Sequence, residues 1–130
     1  MFGVGYGFCT SADLSDADVS TKGPGWRGDE QVLVSGAQLG GRKLEKASGR
    51  RAFLARGNLH GAHLEGADFT QADLRWADLS ESNLEQTVFA GADLRGANFH
   101  GAYLVGTDLR GARLDGAVGL TQAQLASAIQ

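Results

Sequence analysis

The stretch from Gly66 to Leu79 reads GADFTQADLRWADL. Phe69, Leu74 and Leu79 recur every fifth residue, Ala67, Ala72 and Ala77 stand two residues before each, and Asp68, Asp73 and Asp78 lie between. A period of five suits neither regular element. On an α-helix a step of five advances by about 140° and scatters the large residues around the axis. On a continuous strand an odd period sends alternate large residues to opposite faces. The conflict disappears if the chain turns once per unit. The small residue and the large one then both face inward, the residue between them faces out, and the turn resets the direction.

Outward from this stretch the period holds without a break from Ala52 to Gly116. The large positions are Leu54, Leu59, Leu64, Phe69, Leu74, Leu79, Leu84, Phe89, Leu94, Phe99, Leu104, Leu109 and Leu114, all Leu or Phe. Glycine recurs at the turn, for example at Gly61, Gly66, Gly91 and Gly96, where its backbone freedom helps the chain bend. Four units close a square coil of about twenty residues, and coils stack at about 4.8 Å through backbone hydrogen bonds. The interior becomes a column of Leu and Phe, with small residues lining the tight corners.

The runs at 66–79 and 91–104 (GADLRGANFHGAYL) resemble the pentapeptide-repeat family, whose pattern is Ala-(Asp/Asn)-(Leu/Phe)-X-X. The resemblance covers about half the chain strictly. It implies an all-β fold, a right-handed quadrilateral parallel β-helix, here with a short C-terminal capping α-helix.

Residues 1–51 read as irregular N-terminal coils, 52–118 as the regular solenoid and 119–130 as the capping helix, all in one domain. Ala12-Asp13-Leu14 and Ala17-Asp18-Val19 share the phase of the main run, a loop near 20–31 contains Gly23-Pro24-Gly25, and Val34, Leu39 and Leu44 return to phase. Ser48-Gly49-Arg50-Arg51 lacks a large residue, so an outward bulge is expected there. At the other end Thr121 is the expected N-cap, Gln124 completes a capping box, and Leu120 and Leu125 occupy the staple positions. The helix should cover the last apolar layer. Related proteins often dimerise through this end, so a homodimer through it is a second role for the helix.

Composition narrows the classes. The net charge of -3 indicates neither a basic nucleic-acid binder nor an acidic tail. Residues 1–51 carry seven Lys/Arg against six Asp/Glu, and residues 52–130 five against nine, so the C-terminal part is mildly acidic. A lone Cys9 forms no internal disulfide and has no identifiable activating neighbour; with no signal-peptide pattern or membrane span, the expected compartment is the cytoplasm.

Stacking makes residues twenty apart neighbours, which turns the sequence into a surface map. One face gathers Asp73 and Asp93 before the large residue, Arg75 and Arg95 after it, and Trp76 at a position mostly held by glycine. The charges read as compensation on a solvated wall, or more sharply as a polar binding stripe. Trp76 reads either as an interface anchor or as a ring packed over a neighbouring coil edge or the Arg56 stem. His60 and His100 share a face with Ser80 between them, about 10 Å apart and too far to share one metal ion. Glu65 and Glu85 pair on another face without a pocket, and Arg42, Lys43, Lys46, Arg50 and Arg51 read as a solvated basic loop outside the regular coils. No catalytic set, cofactor site or metal site is read.

These features describe a non-enzymatic protein–protein interaction scaffold with an unknown protein partner, no small-molecule substrate, and no direct contact with nucleic acid or membrane. The alternative is a DNA-mimicking binder of DNA gyrase or topoisomerase, resembling the quinolone-resistance proteins. Arg75, Arg95, Arg110 and Arg113 interrupt the acidic surface that such mimicry needs.

Overall fold

A computed structural model describes residues 36–130. The two units at 12–19, the loop near 20–31 and Cys9 lie outside the described residues. From Gly36 onward the chain winds as a right-handed, four-sided coil. Parallel bridges join positions twenty apart at every step, from Gln38 with Asn58 to Asn98 with Val118. The first side holds 37–39, 57–59, 77–79 and 97–99. The second holds 42–44, 62–64, 82–84 and 102–104, the third 47–49, 67–69, 87–89 and 107–109, and the fourth 52–54, 72–74, 92–94 and 112–114.

Each corner is a β-turn with a positive φ at its third residue, the signature of type II. The carbonyl of the large residue accepts from the N–H of the next small residue, as in Leu59 with Ala62 at 3.0 Å. At Gly61 φ is +67°, which glycine adopts without strain, but Lys46, Arg51, Arg56, Gln71, Trp76, Glu81 and Gln86 take the same conformation at φ 56–59°. A left-handed non-glycine residue costs about 1–2 kcal/mol. The ladders on both sides of each corner hold it there.

The inward assignment holds. Every Leu and Phe from Leu54 to Leu104 at the large positions is at most 1% exposed. Polar residues at inward positions have bonded hydroxyls: Ser82 donates to the Leu79 carbonyl, Thr87 to Leu64 and Thr107 to Leu84, each at 2.6 Å. A buried hydroxyl without such a partner would cost about 1–3 kcal/mol.

The bulge expected at Ser48–Arg51 does not form. Ser48 bridges Asp68, and the Gly49 N–H donates to the Asp68 carbonyl at 2.6 Å. The missing bulk comes from the next coil, because a Cβ at Gly49 would come within 2.2 Å of the edge of the Phe69 ring. Phe69 in turn stacks on Phe89 at 6.0 Å and 25°. The basic residues at 42–51 therefore stand on a coil, not on a loop, and Arg42 occupies an inward position where alanine is usual.

The C-terminal helix α1 is Gln122–Ser127. Its capping box is present: Thr121 Oγ1 accepts from Gln124 N–H at 3.1 Å, and Gln124 Oε1 accepts from Thr121 N–H at 2.5 Å. Leu120 and Leu125 pack against the core. Gln124 also ties the helix down, because its Nε2 donates to the carbonyls of Phe99 and Ala102 at 3.1 and 3.0 Å.

Candidate functional site

The outward residue between small and large positions has a backbone role. Asp or Asn there accepts a hydrogen bond from the N–H two residues on: Asn58 from His60, Asp68 from Thr70, Asp78 from Ser80, Asn83 from Glu85 and Asn98 from His100, all at 3.0 Å. That N–H belongs to the second residue of the turn and makes no ladder bond, so a short side-chain acceptor satisfies it. The sequence reading assigned these residues only to a solvated surface. The preference of Asp and Asn for bonding a turn N–H two residues on was the available signal.

On the fourth side this acceptor is joined by an arginine. Asp73 Oδ1 takes the Arg75 N–H at 3.2 Å, and the guanidinium closes on both carboxylate oxygens at 2.8 Å. Asp93 and Arg95 repeat the fork at 2.8 and 2.7 Å. Arg75 Nε also lies 3.9 Å from Asp93 in the next coil. The structure thus brings together Asp73, Arg75, Asp93 and Arg95 as two clamps with a cross-coil contact. The third side carries a third clamp, Asp108 with Arg110.

Hydrogen bonds from Arg75, Arg95 and Arg110 hold the carboxyls of Asp73, Asp93 and Asp108 below the ordinary aspartate range. At Asp68 burial pushes the pKa up, but hydrogen bonds from Thr70 and Arg50 outweigh it and the net shift is downward. A planar, two-bonded guanidinium–carboxylate pair is the strong form of this contact.

Trp76 stands at the corner beside the clamps with φ +56°. Its indole lies across Gly96, where a Cβ would meet the ring, and the Arg56 guanidinium stacks on it at 4.7 Å. Arg75 adds a second cation at 5.7 Å. The ring packs on a coil edge and an arginine, yet remains 52% exposed. Phe53, 38% exposed, pairs with Asp73 across the coils and brings a second aromatic to the same side. Sequence reasoning missed Phe53 because it replaces Asp or Asn at an outward position.

Elsewhere His60 Nδ1 lies 2.9 Å from Ser80 Oγ, which donates to Asp78, while His100 Nδ1 lies 2.7 Å from its own neighbour Asn98. The two histidines keep separate partners. On the second side Glu45, His63 and Glu65 bring ligand atoms within 4.8 Å of one another. Glu65 Oε1 is buried without a hydrogen-bond partner. The sequence reading paired Glu65 with Glu85 alone, so it did not see this cluster. Lys43 pairs with His63 across the coils and is an unfavourable neighbour for a cation. No helix among the described residues is long and apolar enough to cross a membrane.

The family profile described as pentapeptide repeats (8 copies) matches this chain over residues 35–71, 72–111 and 92–129. No curated protein matches it. Among solved structures, it is similar to HetL, a pentapeptide repeat protein involved in heterocyst differentiation regulation in the cyanobacterium Nostoc sp. strain PCC 7120. That match has 26% identity and a TM-score of 0.71, and covers 83% of this chain and 42% of HetL. A trypsin-treated variant of QnrB1, a plasmid-mediated fluoroquinolone resistance protein, matches at 19% identity and a TM-score of 0.52, covering 90% of this chain and 64% of QnrB1. This chain therefore spans less than two thirds of either protein's length.

Proposed function

The chain belongs to the pentapeptide-repeat family, and we propose that it is a non-enzymatic scaffold that binds another protein through its fourth side. The observation that carries this reading is the fixed, half-exposed indole of Trp76, seated on Gly96 and flanked by Arg56 and Arg75. An aromatic already held in one orientation loses little entropy on binding, which makes it an efficient anchor. Arg75 and Arg95 are pinned by Asp73 and Asp93 and present ordered polar edges around it. A coil filled by Leu and Phe offers rigid walls suited to macromolecular contact. The single cysteine and the soluble-looking charge balance support a cytoplasmic setting.

Mimicry of DNA before a topoisomerase draws less support, because the carboxylates of Asp73, Asp93 and Asp108 are each neutralised by an arginine. Tight, salt-sensitive binding to gyrase would favour it instead.

The test uses three baits in lysate of the source organism, read by mass spectrometry: the unaltered chain, Trp76→Ala, and Glu81→Ala at another corner as control. The scaffold reading expects a partner retained by the chain and the control but lost with Trp76→Ala. The same captured set for all three would remove Trp76 and its side as the contact.

A further inference from the structure

The second side carries its charges differently from the fourth. On the fourth, an arginine two residues on closes each outward aspartate, Arg75 on Asp73 and Arg95 on Asp93. On the second, the outward positions hold Lys43, His63 and Asn83, and the residues two on are Glu45, Glu65 and Glu85. Like charges set directly opposite one another on paired strands destabilise a sheet. The ladder imposes that arrangement here. Leu44 N–H donates to the His63 carbonyl at 2.7 Å and Lys46 N–H to the Glu65 carbonyl at 2.9 Å, so bonds on either side of Glu45 hold its backbone against that of Glu65.

Three side chains converge at this place. One ligand atom from each of Glu45, His63 and Glu65 lies within 4.8 Å of the other two. Asn83, one coil on, commits its side-chain oxygen to the Glu85 N–H at 3.0 Å. His63 stands in the same column with an imidazole instead, and its Nδ1 lies 3.9 Å from Glu65 Oε2. The other oxygen, Glu65 Oε1, is buried without a hydrogen-bond partner. A carboxylate oxygen withdrawn from water without a donor is costly, and a bound ion is one arrangement that satisfies it. Two separate features therefore call for a cation: stacked carboxylates whose repulsion it would relieve, and a shielded oxygen that lacks a donor.

We propose that Glu45, His63 and Glu65 form a three-ligand site for a divalent cation of the zinc class. One imidazole nitrogen and two carboxylate oxygens suit zinc, which at an open site takes three protein ligands and a water. Calcium, which takes about six to eight oxygens, finds too few here. Zinc bonds of about 2.0–2.2 Å set tetrahedral ligand atoms about 3.3–3.6 Å apart, so the cluster has to close by about 1 Å. The glutamate side chains supply that movement while the ladder keeps the backbone in place. Glu45 belongs to one coil and His63 and Glu65 to the next, so the ion clips two coils together and stabilises the folded chain. Lys43, paired with His63 across the coils, opposes the cation, but its exposed ammonium stays in water. The site is on a different side from Trp76 and does not rest on the protein-binding reading.

The test is calorimetric titration of the chelator-stripped whole chain with zinc chloride, followed in parallel by NMR of the histidine rings. Zinc should bind saturably at one equivalent, shift the His63 ring and raise the melting temperature, while calcium should do none of these. His63→Ala and Glu65→Gln should each weaken binding at least about ten-fold. Glu85→Gln, in the same column but outside the cluster, should leave the affinity unchanged, and Lys43→Gln should tighten it. All four positions lie on the outer wall, and melting without metal checks that each variant folds. Absence of saturable binding would overturn the proposal. So would equal affinity in His63→Ala, or saturation that moves the His60 or His100 ring in place of His63.

Discussion

Residues 52–116 place Leu or Phe at every fifth position, whereas residues 36–51 carry Arg42 where the repeat has a small residue and Gly49 where it has a large one. Both stretches nonetheless bridge to positions twenty residues on, without a break from Gln38 with Asn58 to Asn98 with Val118. The comparison separates two causes that a regular repeat hides. Backbone ladders and turns fix the path, and side chains need only fill the enclosed volume. Gly49 fits because Phe69 reaches into its place. The unit of packing is thus a column of residues twenty apart, and a local defect is repaired by its column neighbour.

The inside/outside distinction is the first thing to break. Leu79→Asp places an unpaired charge in a fully buried column and should cost more than about 4 kcal/mol, enough to unfold the rod in thermal denaturation. Asp78→Ala, its outward neighbour, loses only the acceptor for Ser80 and should cost about 1 kcal/mol. Equal melting of the two variants would undo the assignment.

Column repair makes a sharper claim. Phe69→Ala should cost about 3–5 kcal/mol, since it empties two coils at once. Gly49→Leu alone should also destabilise, by overpacking against the ring. Together the two should recover at least half of the loss, as read from chemical denaturation of the double-mutant cycle. Additive losses would show that the two positions do not share one volume.

At the C-terminal end, Gln124→Ala removes the second half of the capping box and both bonds to the Phe99 and Ala102 carbonyls. A loss of about 2 kcal/mol is expected, with early hydrogen exchange confined to α1 and the last coil. Uniform exchange along the whole rod would contradict a local tether.

The smallest effect is electrostatic. The folded pKa values of Asp68, Asp73, Asp93 and Asp108 lie below their unfolded values. The unfolded chain therefore takes up protons first as pH falls. The stability from these groups is fully present above the unfolded value of about 3.9 and is lost as pH drops through the folded values. Melting temperature should stay flat from neutrality to about pH 5 and then decline. The decline should be shallower in Arg75→Gln with Arg95→Gln, whose carboxylates keep less of the shift.

Much of this was legible in the sequence because its signals are local and repeated. Leu79 and Ala77 declare an inward pair by spacing alone, and Thr121 with Gln124 declares a helix start. The wall of Asp73, Arg75, Trp76, Asp93 and Arg95 followed once residues twenty apart were treated as neighbours. What escaped depends on groups that spacing does not describe. The outward Asp78 proved to be a backbone acceptor, Gly49 depends on a ring in the next coil, and Phe53 joins the wall from a position the repeat gives to Asp or Asn. Gln124 was expected as a cap, but its bonds to Phe99 and Ala102 depend on where the helix lies.

The most direct test of the column account is the NMR environment of Gly49. If Phe69 occupies the place of its missing side chain, the Gly49 α-protons lie against the ring. They should show a strong ring-current shift and cross-relaxation to the Phe69 ring protons, both abolished in Phe69→Leu. Random-coil α-proton shifts at Gly49, unchanged in that variant, would mean that residues 36–51 do not stack on the coil and that its register begins later.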